Sequence, residues 1–308
     1  MSTIPIAFAL DNRLIIPIST TIFSLMVNAN KDTFYDIFIL HSEKEALNKN
    51  IISRVTIKYP NCRVTYRTVG DIFDNAFEIR GITTPAYYRL LIPRLIPEYN
   101  KIIYSDADII FRQDLTKLYS FDLSDNYLAG VKDPGINLTN EGCKHMETLP
   151  GVVPGNYINS GFLLINSIKI NEKGIVDQLV SMAKYNWKFQ DQDVINIVCA
   201  GRIKFLPPMY NMSDYAYYFG IKCPEKWIKL YSMESFEDGC INGSVHYNGH
   251  KPWVKWSVNF DIWWEYYRKS PIFDLNYYFD FFNNKLNEFD NLPLWKRIKI
   301  LLRWFFIH

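Results

Sequence analysis

The sequence has no close pair of cysteines. Its five (Cys62, Cys143, Cys199, Cys223 and Cys240) are odd in number and scattered, with no CxxC pair. Neither a disulfide framework nor a cysteine zinc site follows, and a reducing compartment fits best. No apolar run approaches the roughly 20 residues that cross a bilayer. The opening MSTIPIAFALDNR lacks a basic stretch ahead of an apolar one, and Asp11 and Arg13 interrupt it early. It reads as a poor signal peptide, so a cytoplasmic location is expected. The formal net charge is only +2 and no Lys/Arg block stands out in the body of the chain, so no nucleic-acid partner is expected. There is no GxxxxGK[ST] phosphate loop, no internal repeat and no low-complexity tract.

Aromatic residues, in contrast, are abundant: 21 Tyr, 21 Phe and 8 Trp, 16% of the chain. Their faces suit stacking on bases and on the apolar faces of sugars. The first half alternates strand-like segments (4–10, 35–41, 62–69, 101–104) with helix-like ones (15–28, 43–58, 83–95). That alternation predicts a mostly parallel, doubly wound α/β sheet, whose ligands bind at the carboxyl ends of the strands. Residues 134–155, with several Gly and Pro, read as a long loop or flap. Residues 157–166 read as a strand, and 177–185 and 190–200 as helices. Beyond Trp256 the character changes to a dense aromatic stretch and a basic, apolar end, PLWKRIKILLRWFFIH. This divides the chain into a main α/β domain, 1–256, and a C-terminal helical segment, 257–308.

Four constellations carry chemistry. Asp106-Ala107-Asp108 follows an apolar strand, and residues two apart on an extended chain face the same way. Two carboxylates so placed invite a hard divalent cation. His246 lies in Val-His-Tyr-Asn-Gly-His-Lys-Pro-Trp, where an imidazole can complete a carboxylate site, Gly249 permits close backbone approach and Lys251 can meet a diphosphate. Gln190-Asp191-Gln192-Asp193 opens an apolar helix with more polar residues than a cap needs. Asn159-Ser160-Gly161 interrupts an apolar strand, as a bulge or a close ligand approach would.

Taken in order, FALDN, TTPAYYRLLIPRLIP, IIYSDADIIF, INSGFLLIN, QDQDVIN and VHYNGHKPW resemble the family-8 glycosyltransferases over roughly residues 4–256. The resemblance implies a GT-A fold, a UDP-sugar donor, Mn²⁺ (with Mg²⁺ as the alternative) and transfer with retention. It makes Asp106, Asp108 and His246 the metal ligands and places Asp11 at the nucleoside. Arg89, Asp106, Asn159, Asp191, Gly249 and Lys251 would contact the donor, and Gln192 and Asp191 would lie at the anomeric carbon. Gln192 is a poor nucleophile, so front-face attack is the expected route and Asp191 the minority nucleophile. Only His250 separates Gly249 from Lys251, where the family usually has two residues, so His250 can substitute at the diphosphate; Arg13 replaces a small polar residue.

The expected reaction is transfer of galactose or glucose to a glycan or glycolipid acceptor of lipopolysaccharide or another surface glycan. The alternatives are a non-catalytic sugar-binding module and a metal-dependent nucleotide-sugar phosphohydrolase. As a helix, the C-terminal end groups Lys296, Lys299 and Arg303 opposite Leu294, Ile298, Leu301, Leu302 and Phe305, flanked by Trp295 and Trp304. This pattern suits the anionic inner face of the cell membrane.

Overall fold

In the computed structural model of the chain, residues 2–74, 76–78 and 83–307 are described, without the side chains of Phe289 and of residues 304–307. The expected contributions of Trp304 and Phe305 therefore lie outside the described side chains. Ten strands are present among the described residues: β1 Ser2–Ala9, β2 Thr33–Ser42, β3 Cys62–Val69, β4 Lys101–Ser105, β5 Ile109–Ile110, β6 Leu128–Lys132, β7 Ile158–Asn166, β8 Ile203–Phe205, β9 Met212–Ser213 and β10 Val245–His246. Seven form the central sheet in the order β3-β2-β1-β4-β7-β6-β8. All its pairings are parallel except those of β7, which runs against both neighbours. The mostly parallel α/β sheet expected from the alternating pattern is what the chain builds.

The period-two alternation of the strands separates two apolar layers. Ile4, Ile6 and Phe8 of β1 face one core, with the helix Ile15–Val27. Ala7 and Ala9 face the other, with the helices Ile175–Met182 and Gln190–Val198. The helix Phe260–Lys269 adds Trp263, Trp264 and Tyr267, all fully buried, to the first core. At 25 cal/mol per Å² or so, rings of this size are among the largest single contributors to burial.

Three sequence readings need correction. Residues 134–155 are not a long loop: Pro134–Leu138 and Asn140–Met146 are helices. Asp133 and Thr139 cap them by accepting from the backbone N–H of Ile136 and Gly142, and Pro134 sits at the first helical position. Those are start signals, and Gly142 serves packing, since a Cβ there would strike the Ile136 carbonyl. The helix expected over 83–95 is a 3₁₀ helix, Thr84–Leu91, followed by one α turn, Ile92–Leu95. The helix expected over 43–58 shortens to Lys49–Thr56.

Candidate functional site

The direction of β7 builds the site. Because β7 is antiparallel to β4, its first residues lie beside the last of β4, with Ser105 opposite Phe162. Asn159-Ser160-Gly161 therefore meets Asp106-Ala107-Asp108 at one sheet edge, and Asp106 N–H donates to the Gly161 carbonyl (2.8 Å). A small second sheet, β5-β10-β9, brings in His246, paired with Ile109 and Ser213. Tyr247 N–H donates to the Asp108 carbonyl (3.0 Å). Behind the acidic loop, Thr21 on the buried helix Ile15–Val27 donates to the Ala107 carbonyl (2.9 Å). These elements line an open cavity of about 620 Å³ that includes Asp11, Arg89, Asp106, Asp108, Asn159, Asp191, Gln192, His246, Gly249 and Lys251. All ten sequence-marked residues converge on it. Its size suits a substrate-sized ligand.

Among the described residues, Asp106, Asp108 and His246 form the one cluster able to hold a metal ion, their ligand atoms lying within 4.8 Å of one another. His246 Nε2 stands 3.3 Å from Asp108 Oδ1 and 3.7 Å from Asp106 Oδ2. Both His246 Nε2 and Asp108 Oδ1 are buried without a hydrogen-bond partner. Buried polar atoms left unmatched are costly, and two carboxylates with one imidazole are the donor set of a Mn²⁺ or Mg²⁺ site. The residues thus fit a divalent cation. Gly161 makes room: a Cβ there would overlap His246 Cε1 and come within 2.6 Å of Asp106 Oδ2. Burial pushes the Asp108 carboxyl up, the Lys251 ammonium opposes it, and the balance falls below the usual carboxylate range.

Arg89, buried, ties the carboxylates together. It reaches Asp106 Oδ1 (2.9 Å), Asp191 Oδ2 (3.1 Å) and the Ser160 carbonyl (2.6 Å). Much of its donor capacity is spent on protein groups, so it orders the acidic wall of the cavity. Ser160 Oγ also donates to Asp191 (3.0 Å), while Gln192 Oε1 accepts from the Ser160 N–H (3.0 Å). Burial raises the Asp191 carboxyl to about 6; Arg89 opposes that shift and Asp106 reinforces it. Asp193 faces away from the cavity. It accepts from His145 Nε2 (2.9 Å), Tyr157 OH (2.6 Å) and the Phe189 N–H (2.8 Å), clamping the helix Asn140–Met146 onto the site.

Asp11, just past β1, caps the turn Asn12–Leu14 and binds Arg13 through its backbone N–H (2.9 Å) and guanidinium (2.6 Å). Lys251 forms an ion pair with Asp108 and donates to the Tyr247 carbonyl (2.5 Å). Gly249 covers Asp214, whose carboxylate a Cβ would meet, and His250 is exposed. Sequence reasoning missed Asp133 and Asn211. Asp133 Oδ2 accepts from Asn159 (3.0 Å) and Gln192 (3.3 Å). Asn211 Oδ1 lies 2.7 Å from His246 Nδ1. The capping signal Asp-Pro-Gly gave away Asp133's position; nothing in the sequence marked Asn211.

Residues 5–257 match the family model described as Glycosyl transferase family 8. A Haemophilus influenzae protein described as a glycosyltransferase is 32% identical over 216 residues, 68% of this chain and 64% of that protein's length. A lipopolysaccharide 1,2-glucosyltransferase of Escherichia coli K12 is 25% identical over 82% of this chain and 73% of its own. Among solved structures, the galactosyltransferase LgtC in complex with donor and acceptor sugar analogs superposes with a TM-score of 0.70 at 22% identity, covering 85% of this chain and 95% of LgtC.

Proposed function

The chain belongs to glycosyl transferase family 8 and has a GT-A fold, and from that premise we propose that it transfers galactose or glucose from a UDP-sugar to a surface-glycan acceptor, with retention. The observation that carries this reading is the Asp106–Asp108–His246 group, with its unmatched buried atoms, set at one cavity wall beside Asp191 and Gln192. A divalent cation held there, Mn²⁺ or Mg²⁺, supplies the positive charge that stabilises a departing diphosphate. Lys251 serves the same end by leaving Asp108 for a diphosphate oxygen. Asp191 binds the transferred sugar and its charge favours positive character at the anomeric carbon. Gln192, its amide oxygen committed to the Ser160 N–H, positions the sugar and does not attack; the acceptor hydroxyl bonds to the anomeric carbon on the face from which the diphosphate leaves, and its proton passes to the departing phosphate oxygen. Asp11 takes the nucleoside and Asn159 and Arg89 the sugar side.

The test is UDP release from UDP-galactose, UDP-glucose and UDP-N-acetylhexosamines, each with Mn²⁺ and with EDTA, with and without a saccharide acceptor. Mn²⁺-dependent release that rises with acceptor supports transfer. Acceptor-independent release equal to it favours a phosphohydrolase, and no metal-dependent UDP binding sinks both.

A pH profile adds a further check. Asp191 acts as an anion, and burial raises it to about 6. The active ionised form is lost as pH falls through that value, so kcat/KM is expected to drop about tenfold per unit below it. A profile flat from neutrality down to about pH 5 would contradict the role given to Asp191.

No helix among the described residues is long and apolar enough to cross a membrane. On the helix Leu294–Ile307, Leu294, Trp295, Ile298, Leu301 and Leu302 are nevertheless all exposed, at 46–73%, as are Lys296, Lys299 and Arg303. With both faces uncovered, we read this helix as resting on an anionic inner-leaflet surface, where lipid-linked acceptors are reached. Co-sedimentation with phosphatidylglycerol vesicles, weak with neutral phosphatidylcholine and lost on deleting 294–308, is the expected result. Equal sedimentation of the deletion variant would refute it.

A further inference from the structure

His246 is held by more than its strand. Its Nδ1 meets Asn211 Oδ1 at 2.7 Å. Asn211 Nδ2 meets Asn159 Oδ1 at 2.9 Å, Asn159 Nδ2 meets Asp133 Oδ2 at 3.0 Å, and Gln192 Nε2 meets that same oxygen at 3.3 Å. His246, Asn211, Asn159 and Asp133 are all at least nine-tenths buried. We propose that Asn211 is a positioning residue: it fixes the His246 tautomer so that Nε2 presents its lone pair to the metal site, and it joins that site to the sugar-side residues Asn159 and Gln192. The metal half of this inference rests on the reading of Asp106, Asp108 and His246 as ligands.

The direction of the chain follows from its two unambiguous ends. A backbone N–H only donates, and that of Gly161 points at Asn159 Oδ1 (3.0 Å). A carboxylate oxygen only accepts, and that of Asp133 faces Asn159 Nδ2. Asn159 therefore has one orientation. The Asn211 atom facing Asn159 Oδ1 must then be its NH₂, which leaves the Asn211 oxygen toward His246. An acceptor at Nδ1 requires Nδ1–H, so in the neutral ring Nε2 carries the lone pair. That lone pair looks at Asp108 Oδ1 across 3.3 Å, another acceptor, and neither atom has a donor. Two acceptors so placed repel until a cation lies between them. An oxygen behind the distal nitrogen is how ligating histidines are ordinarily oriented.

The local backbone explains why position 211 can do this. Asn211 directly precedes β9, and β9 pairs with β10 in register Ser213 to His246. Asn211 N–H is satisfied by the Pro208 carbonyl (2.9 Å), which frees its side chain for the histidine. β5 fixes the other side of β10. The imidazole is thus held between two strands and by one amide.

Two variants separate the two functions of the amide. Asn211→Asp keeps an oxygen toward Nδ1 but loses the donor to Asn159. Asn211→Leu loses both. The readouts are the Mn²⁺ dissociation constant by electron paramagnetic resonance, donor KM and kcat, and long-range ¹H–¹⁵N spectra of ¹⁵N-histidine-labelled, metal-free protein. Asn211→Leu is expected to weaken Mn²⁺ binding by about 10- to 100-fold and to add nothing in a His246→Ala background. Asn211→Asp is expected to hold Mn²⁺ affinity within about threefold while raising donor KM or lowering kcat by roughly tenfold, the split a merely structural residue would not produce. In the parent, His246 is expected as the Nδ1–H form.

An Nε2–H form in the parent overturns the proposal, whatever the metal does. So does parental Mn²⁺ affinity in a folded Asn211→Leu variant. Absence of Mn²⁺ binding by the parent would instead sink the metal-site reading and with it the ligand-positioning half, while the tautomer spectrum and the donor kinetics still decide the link through Asn159.

Discussion

Replacing Asp108 with Asn is expected to lower metal-dependent transfer by about three orders of magnitude, the upper end of what one preorganised electrostatic contact contributes. The substitution keeps shape and removes charge. Asp108 is buried, its Oδ1 faces His246 Nε2 and its other oxygen carries Lys251. Against the push of burial, the Lys251 ammonium helps hold it below the usual carboxylate range, so the parent presents a full negative charge at working pH. An amide there leaves Asp106 as the one anionic ligand and places an NH₂ or a neutral oxygen where the cation needs a carboxylate. The Mn²⁺ dissociation constant should rise in parallel with the loss of rate, and excess Mn²⁺ should recover part of it. The fold should survive: Lys251 is about one-third exposed and can turn to water, and the neighbouring strands pair through their backbones. A variant with near-parental rate at saturating donor, or one whose loss is independent of Mn²⁺, would remove Asp108 from the metal site.

The parts of this site that are legible in the sequence are those whose spacing encodes direction. Asp106 and Asp108 are two apart on an extended chain, so their common side follows from the pleat alone. Asp11 ends an apolar run, which places it at a strand's carboxyl edge. The antiparallel direction of β7 is not encoded in any local pattern. It depends on which neighbours β7 finds, and it alone brings Asn159 and Gly161 beside Asp106. Asn211 is illegible for the same reason: its segment has neither helical nor strand periodicity, and its importance exists only once β9 pairs with β10. In residues 134–155, Gly135 and Gly142 are residue types that suggest a loop, yet both sit inside short helices. Both are packing glycines, Gly135 lying against the Tyr215 ring, where a Cβ would come to 2.7 Å. In Gln190-Asp191-Gln192-Asp193 the four polar residues divide their labour by helical rotation. Asp191 and Gln192 turn to the cavity, and Asp193 turns to His145 and Tyr157. Arg89 lines the cavity, and its guanidinium also holds Asp106, Asp191 and Ser160, a set of partners that no local pattern encodes.

Gly161→Ala is expected to cost about 10²- to 10³-fold in transfer, comparable to removing a preorganised electrostatic group, although it adds only a methyl. Gly161 lies within β7 and its φ is not in the left-handed region, so the demand for glycine is one of space. Its neighbours are His246 Cε1, Asp106 Oδ2 at 2.6 Å and Asn159 Oδ1 at 3.0 Å from a built Cβ. None is the loose end of a flexible side chain. His246 is held by Asn211, Asp106 by Arg89 and by Tyr104 OH (2.7 Å), and Asn159 by Asp133. Nor can the backbone retreat, because Gly161 binds Asp106 N–H through its own carbonyl. The methyl must therefore displace one of the candidate metal ligands, and the imidazole is the nearest. Overpacking of this kind costs about 1–3 kcal/mol of stability, which a thermal melt would show as a modest drop. The Mn²⁺ dissociation constant should move with it, and by more than the melt implies. Asn159 is the remaining neighbour, so donor KM should rise as well. If the alanine variant loses stability yet keeps its Mn²⁺ affinity and rate, the cleft between β4, β7 and β10 is wider in solution than the geometry here allows, and the steric account of the Asn-Ser-Gly motif fails.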